Sequence, residues 1–288
     1  MVHRHLLHNG QVIDASSRTL AAGQVGLLNG WGVFSTIRVC DGVLFAWERH
    51  WARMQRDARL LRVPFPEDPQ TLHADLVKLV AANQAEDSTL RVAIIRNRGG
   101  WFEGPALERD FDVVAFTADV RHWGRGVRLA VQPQARHSAC PFAGTKILSW
   151  SFNLAWLETA QQRGFDEVIL LNELGQVSEC TSANIFIEKG NLVLTPPLNS
   201  GCLPGITREL LLGDARPHGM TIVEQPLMLE DLYDADSVFI TSTTRELLPV
   251  LVIEDRKLKT SDPCRVIMQE AFSRYCDSYI AAVKRKAA

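Results

Sequence analysis

The sequence predicts an α+β fold, and three observations support this prediction. Short strands joined by tight turns come first, two amphipathic helices follow, and strands return after them. A stretch with tryptophan and glycine near residue 123 interrupts this order, and beyond it sheet and helix are mixed again. A chain of 288 residues can form two units with separate cores. We therefore predict a small α+β domain over 1–119, an interdomain linker over 120–126 and a larger domain over 127–288.

Turn signals and hydrophobic periodicity locate the elements of the first domain. Asn9-Gly10 is typical of a hairpin turn, and Asp41-Gly42 predicts a second hairpin after the alternating strand that begins at Gly32. Apolar residues at helical spacing then predict two helices, the first ended by nearby prolines. The predicted helices cover 49–61 and 69–84, and the strands after them cover 90–95 and 111–116.

The larger domain is predicted to open on a strand and to end on a long helix. Apolar runs bounded by turn residues indicate the strands between. The predicted strands cover 127–131, 167–172, 183–188, 192–195 and 237–241. The predicted helices cover 149–163, a segment from 206, and 263–283.

Composition excludes several functional classes. The 31 basic residues nearly balance the 33 acidic ones, so a net charge of -2 gives no basic field for nucleic acid. We find no apolar run near the ~18 residues of a membrane-spanning helix and no signal-peptide pattern, so a cytoplasmic protein is expected. The six cysteines form no C-x-x-C pair, and the early histidines fall in a predicted hairpin, so no metal site is expected.

Lys146 is the first candidate for chemistry. It is the only charged residue between Cys140 and Leu157. An amine in an apolar cleft is desolvated, which lowers its pKa toward that of a nucleophile able to form a Schiff base. The alternative is a lysine whose amine reaches solvent from an apolar surface.

Three further stretches contain candidate binding groups. In 167–186 an apolar strand, a turn and a return strand place Glu179 next to small residues, which would let a flat ring approach the backbone beside a carboxylate. The glycine-containing loop 195–205 runs into a helix, so the amides of Ile206 and Thr207 could hold a phosphate. The hydroxyls of 241–244 end a strand. The respective alternatives are a polar strand end, an ordinary helix start and a hydrogen-bonded turn.

Together and in this order, the four stretches resemble the class IV pyridoxal-phosphate enzymes. This family includes branched-chain and D-amino-acid aminotransferases and 4-amino-4-deoxychorismate lyases. The resemblance extends from the Asn9-Gly10 hairpin to a strand ending at Val250. It implies the two-domain fold of type IV, in which a small α/β domain and a larger sheet-and-helix domain hold pyridoxal 5'-phosphate between them. It also implies a homodimer.

The resemblance assigns roles to individual residues. Lys146 would form the internal aldimine and later move the proton between Cα and C4′, and Glu179 would pair with the pyridine nitrogen. The full set of implied cofactor contacts is Arg53, Lys146, Glu179, Leu203, Ile206, Thr207 and Thr243. The groups expected to recognise the substrate carboxylate are Arg38, Arg91 and Thr244.

The motifs combine features of two family members. The loop from Thr195 into Ile206 is most similar to branched-chain aminotransferases, whereas 34–39 and 179–184 are more similar to the lyases. We therefore predict an aminotransferase that moves an amino group between an amino acid, branched-chain ones included, and a 2-oxo acid. The alternative is a lyase that releases pyruvate by β-elimination. A binding module would have no need for Lys146, Glu179 and Arg53 together.

Overall fold

The computed structural model describes residues 1–101 and 108–287, and the backbone divides into two compact units. Both units combine sheet with helices, so the predicted α+β class is confirmed. Unit 1 comprises Met1–Arg121, Thr145–Trp150 and Ser278–Ala288. Unit 2 comprises His122–Gly144 and Ser151–Asp277. The first boundary between the two units, after Arg121, falls inside the predicted linker 120–126.

Unit 1 is an antiparallel sheet covered by two helices. Its elements are β1 (Val2–His8), β2 (Gln11–Asp14), α1 (Val25–Asn29), β3 (Gly32–Cys40), β4 (Val43–Leu44), α2 (Trp47–Leu60), α3 (Pro69–Ala82), β5 (Ser88–Arg96) and β6 (Phe111–Ala118). The strand order is β2-β1-β6-β5-β3-β4. Alternate residues of β3 face the helices, and Ile37 packs there with Met54 of α2 and Leu76 of α3.

Local sequence explains where these elements begin and turn. Both predicted hairpins are present, with Asn9 and Gly10 at φ of 48° and 82°, the left-handed backbone that favours asparagine and glycine. Helix α3 begins at Pro69 because the side chain of Asp68 accepts hydrogen bonds from the amides of Gln70 and Thr71.

Unit 2 is a mixed sheet with helices. Its elements are β7 (Val127–Arg136), α4 (Ser151–Gln162), β8 (Glu167–Asn172), β9 (Val177–Cys180), β10 (Asn184–Lys189), β11 (Leu192–Thr195), α5 (Ile206–Leu212), β12 (Thr221–Glu224), α6 (Leu229–Tyr233), β13 (Ser237–Ser242), β14 (Glu246–Ile253) and β15 (Arg256–Lys257). Helix α7 (Pro263–Ala287) begins in unit 2. The strand order is β12-β11-β10-β13-β14-β7-β8-β9, and β15 pairs with β14.

The parallel pairing of β7 with β8 requires a crossover, and α4 provides it. The centre of strand β8 is an apolar run, as expected for a strand in which every residue is buried. The chain then turns back twice, so that β9 and β10 are separated by the short turn 181–183. This turn and the ends of β9, β10 and β13 carry buried polar side chains.

Two predictions of element bounds need correction. The helix predicted over 149–163 begins at Ser151, because 145–150 is an irregular segment with a single bridge from Ile147 to Val33. The return strand predicted over 183–188 is β10, and Glu179 lies in a separate strand, β9. Within 1–101 and 108–287, no helix is long and apolar enough to cross a membrane.

Candidate active site

Lys146 is held through its backbone on two sides. Its carbonyl oxygen accepts a hydrogen bond from the Phe34 amide (3.1 Å), and Leu148 N–H donates to the Gly32 oxygen (3.0 Å). The Lys146 amide donates to Oδ2 of Asp57, a buried residue of α2, at 3.0 Å. The segment is thus fixed against the start of β3 and against α2, which determines where the lysine side chain starts.

The Lys146 side chain lies over an aromatic ring together with a second cation. Lys146 Nζ is 4.6 Å from the centroid of the Phe34 ring, and Arg91 Cζ is 3.9 Å from the same centroid. Trp150 meets this ring edge-on. Burial lowers the pKa of the Arg91 guanidinium from its ordinary value. Arg91 thus places a guanidinium beside the Lys146 amine, in a region suited to an anion such as a substrate carboxylate.

Arg53 is buried on α2, one helical turn before Asp57. Its Nη2 donates to Ser35 Oγ at 2.9 Å, and Ser35 Oγ lies 2.7 Å from His50 Nδ1. Since Arg53 donates to the hydroxyl oxygen, the Ser35 hydroxyl can donate its own proton to Nδ1. Burial, reinforced by the charges of Arg53 and Lys146, holds the pKa of His50 well below its usual range. His50 is therefore neutral and adds no charge beside Arg53.

The Arg38 guanidinium binds other partners, although Thr36, two residues before it, pairs with Arg91. Arg38 is four residues beyond Phe34, roughly 13 Å along β3 at the usual rise of a strand. Its guanidinium donates to Asp87 Oδ1 and to the Ser88 oxygen, both at 3.0 Å. The structure thus groups Arg91 with Lys146 and places Arg38 at the other end of the strand.

Glu179 is buried in β9 of unit 2, and both of its carboxylate oxygens have partners. Oε1 accepts from Arg136 Nε at 3.1 Å, and Oε2 accepts from the Leu203 amide at 3.0 Å. Asn153 of α4 fixes Arg136 in turn, with 3.2 Å between Arg136 Nη1 and Asn153 Oδ1. The side-chain amide of Asn153 donates to the Thr181 oxygen at 2.8 Å. A carboxylate has about four acceptor positions, so each oxygen retains room for a further donor.

The loop before α5 is tied to the same region. Asn184 Nδ2 donates to the Leu203 oxygen at 2.8 Å. A Cβ atom on Gly205 would lie 2.1 Å from Asn184 Oδ1, so only glycine fits there. Gly205 is the N-cap residue of α5 and has no side chain to cap the helix, and the buried residues Ile206 and Thr207 open it.

The hydroxyl-rich turn lies between β13 and β14. Thr241 is opposite Asn184 in the sheet, and its Oγ1 is buried with no hydrogen-bond partner among the described residues. The Thr244 oxygen accepts from Trp123 Nε1 at 3.0 Å. Helix α5 packs against β13, so Ile206 and Thr207 belong to the same part of unit 2 as the strand that leads to Thr243. An unsatisfied hydroxyl there is the kind of group that a ligand or a water satisfies.

The sequence analysis missed the residues that support these groups. They are Asp57, Ser35 and His50 in unit 1, and Arg136, Asn153, Glu167 and Arg245 in unit 2. A signal existed for Glu167, since a carboxylate that opens the apolar strand β8 is unusual. Arg136 and Asn153 give no local signal, because their partners are distant in the chain. In the part of the chain that the structure describes, no cluster of acidic, cysteine or histidine residues could hold a metal ion.

Comparison with known families identifies the class of this protein. Residues 32–253 match the family model described as amino-transferase class IV, and this span covers more than half of the chain. The chain belongs to this family and is an enzyme of the class IV aminotransferases. The resemblance found in the sequence is thereby confirmed. Members of the family depend on pyridoxal 5'-phosphate.

Individual relatives carry two kinds of name. A protein of Methanocaldococcus jannaschii, provisionally named a branched-chain-amino-acid aminotransferase, is 31% identical over 252 residues, 86% of this chain and 87% of the relative. The D-alanine aminotransferase of Bacillus licheniformis is 28% identical over 262 residues, 90% and 91% of the two chains. The structure of a Thermoproteus uzoniensis branched-chain aminotransferase with norvaline matches with a TM-score of 0.85, at 27% identity and 94% coverage of both chains.

Proposed function

We propose that this chain is a pyridoxal-phosphate aminotransferase whose covalent cofactor attachment is at Lys146. The observation that carries the proposal is the fixation of Lys146. Its amide and carbonyl are both hydrogen-bonded within unit 1, and its amine lies against the Phe34 ring. A reactive amine must be held in a defined position, and backbone bonds on two sides achieve this.

The other candidate residues suit the remaining parts of the cofactor. Arg53 offers a buried guanidinium for the phosphate dianion, and the hydroxyl of Thr243 with the uncapped amides of Ile206 and Thr207 offers neutral donors. Glu179 offers a carboxylate for the ring nitrogen, and Leu203 offers an aliphatic side chain for the ring face. The unsatisfied Thr241 hydroxyl supports the presence of a polar ligand near these groups in unit 2.

When bound, the cofactor withdraws electrons from the substrate Cα. The residues of the chain supply the rest of the chemistry. The Lys146 amine would be the base that takes the Cα proton and the acid that delivers it to C4′. Phe34 excludes water from one side of that amine. Arg136 and Leu203 hold the Glu179 carboxylate in one orientation.

For the substrate we propose an aliphatic amino acid with a 2-oxo acid as its partner. Arg91 is the best placed of the predicted carboxylate-binding residues, because it shares the Phe34 ring with Lys146. Thr244 remains a further candidate through its turn, and the bonds of Arg38 to Asp87 and Ser88 favour a structural role. The branched-chain relatives and the norvaline of the solved structure support an aliphatic side chain. The D-alanine relative makes both stereoisomers necessary in any assay. We also propose a cytoplasmic homodimer.

Borohydride trapping tests the assignment of Lys146. The parent protein loaded with cofactor should be yellow, with absorbance near ~410–430 nm, and reduction should leave a stable adduct on Lys146 in peptide mass spectrometry. Lys146→Ala should lose the adduct, whereas Lys189→Ala, a change at a lysine paired with Asp231, should keep it. An adduct on another lysine would overturn the proposal.

A donor screen separates the two candidate reactions. Residues 34–39 in β3 and 179–184 are similar to the lyases, which makes elimination the specific alternative. Amination of 2-oxo acids by L- and D-amino acids should be measured in parallel with pyruvate release from aminodeoxychorismate. Pyruvate release without amination would replace the aminotransferase by the lyase.

A further inference from the structure

A fully buried carboxylate lies at the start of β8 and is not one of the proposed cofactor or substrate contacts. Glu167 has no exposed surface. Its oxygens accept from its neighbour's amide, Val168 N (3.0 Å), and from Ser182 Oγ (2.5 Å). They also accept from Thr181 Oγ1 and from Arg245 Nη2, the latter at 3.0 Å. Both hydroxyl donors belong to the turn that follows Glu179.

Arg245, the partner of Glu167, belongs to the hydroxyl-rich turn after β13. Its side chain is 5% exposed. Nη1 donates to the Ser182 oxygen at 3.2 Å, and Cζ lies 3.8 Å from the centroid of the Trp123 ring. Trp123 donates in turn to the Thr244 oxygen. Arg245 therefore connects the turn at Thr181-Ser182 with the turn that carries Thr243 and Thr244.

Stability alone does not explain such a pair. Removing two charges from water costs several kcal/mol per ion, and a well-packed apolar pair of similar size is often as stable. What the pair does provide is geometry, since a guanidinium fixed by a carboxylate, a carbonyl and a ring has one allowed position. It also neutralises Arg245, so that this guanidinium does not draw an anion away from the neighbouring threonines.

We propose that Glu167 and Arg245 are a positioning pair that holds the turn of Thr243 and Thr244 in the conformation that binds the phosphate of the cofactor. The proposal rests on the proposed function. Neither residue touches the cofactor. Their effect passes through the turn, because Arg245 directly follows Thr244 and is fixed to the sheet by Glu167.

Comparison of pyridoxal 5'-phosphate with pyridoxal tests this role, since the two differ only by the phosphate. Binding to parent, Glu167→Gln, Arg245→Lys and the double variant Glu167→Met/Arg245→Met is measured by quenching of tryptophan fluorescence. We expect each variant to bind the phosphorylated form at least about tenfold more weakly, as when a group supporting a ligand-binding residue is removed. Pyridoxal should bind with a change of less than about twofold, because the turn of Thr243 and Thr244 meets the phosphate, and the Glu179 carboxylate is held by Arg136 and the Leu203 amide. The double variant leaves no buried charge unpaired and so tests the role without the cost of a broken pair.

Arg163→Met is the matched control. Arg163 also pairs with a carboxylate, that of Glu254, and lies over a ring, with Cζ 4.9 Å from the centroid of Phe165. It should change neither affinity. Equal losses for both ligands in the Glu167 and Arg245 variants, or no loss in any of them, would overturn the positioning role. A parent protein that binds no pyridoxal 5'-phosphate would overturn the proposed function, and this inference with it.

Discussion

At the scale of single residues, the charge of Glu179 and its shape can be separated. Arg136 and the Leu203 amide hold the carboxylate from two sides, so the side chain has one orientation. A glutamine at this position keeps the size and one acceptor oxygen. It lacks the negative charge that would keep a ring nitrogen protonated.

Glu179→Gln should therefore slow removal of the substrate Cα proton by at least about a hundredfold. Loss of one preorganised electrostatic partner commonly costs ~2.7–4 kcal/mol of transition-state stabilisation. Exchange of the Cα proton in deuterated water, followed by NMR, measures this step. Cofactor should remain bound, because Arg53 and Lys146 are unchanged. Glu158→Gln, a change at an exposed position of α4, serves as control. A near-parental rate in Glu179→Gln would show that this carboxylate does not contact the ring nitrogen.

Arg53 supports a second prediction, about affinity rather than chemistry. Arg53→Ala should weaken cofactor binding by roughly 1.5–3 kcal/mol, the contribution of a hydrogen bond to a charged group. Excess cofactor should restore much of the rate, because the residues of proton transfer are intact. Fluorescence titration gives the affinity, and Arg53→Lys, which keeps the charge, should lie between parent and alanine variant. A rate that no cofactor concentration restores would show that Arg53 has another role.

At the scale of elements, the hairpin between β8 and β9 holds the segment that follows β7. Glu173 in its turn accepts from the Ser138 amide and hydroxyl, both at 2.8 Å, and contacts His137 Nδ1 at 3.1 Å. These bonds, with the Ser138 amide as the largest cause, lower the pKa of Glu173 to about 2. The turn therefore fixes the backbone of 137–139 through an ionised carboxylate.

The stabilisation from Glu173 should depend on pH with a known sign. Because the pKa is lower in the folded state, the stabilisation is fully present above the ordinary value of about 4.5 and is lost as the pH falls toward 2. Urea unfolding of parent and Glu173→Gln from pH 7 downward measures it. The variant should be less stable at pH 7, and the difference should narrow below pH 4.5. A difference that is constant with pH would contradict the role of the charge.

The elements also show what the sequence could predict. Asn9-Gly10, Asp41-Gly42 and the periodicity of α2 and α3 are local signals, and these elements are present close to their predicted bounds. The irregular course of 145–150 was missed because its cause is not local. Lys146 and Asp57 are 89 positions apart, and the strand partner of Ile147 is Val33. Short elements such as α1, β12 and α6 carried too little periodicity to be recognised.

At the scale of the whole molecule, the family could be predicted from residues whose chemistry is read directly from their type. Lys146 was identifiable as a lone charge, and Glu179 as a carboxylate among small residues. The residues that hold Lys146 and Glu179 in position were not identifiable, because such a residue is recognised only by the partner it contacts in the folded chain. Arg245 and Glu167 are 78 positions apart and make sense only as a pair. The residues that carry the chemistry of a site can thus be predicted from the sequence, whereas the residues that position them cannot.

Assembly provides the last prediction. Helix α4 exposes the aromatic side chain of Phe152, which is 72% accessible and stacks on Trp156 one turn later with 6.1 Å between ring centroids. A large apolar side chain exposed beside a second aromatic ring is typical of an interface. Together with the homodimer implied by the family resemblance, it leads us to expect that α4 contributes to contact with a second copy of the chain.

Light scattering at micromolar concentration should then show a dimer. Phe152→Glu should raise the dimer dissociation constant by at least about tenfold, since one buried side chain of this size contributes roughly 1.5–3 kcal/mol. Val266→Glu, which changes an exposed apolar position of α7, should leave the dimer intact. Circular dichroism checks that all variants remain folded. An active parent monomer would contradict the homodimer itself, and a dimer unaffected by Phe152→Glu would place the interface on another surface.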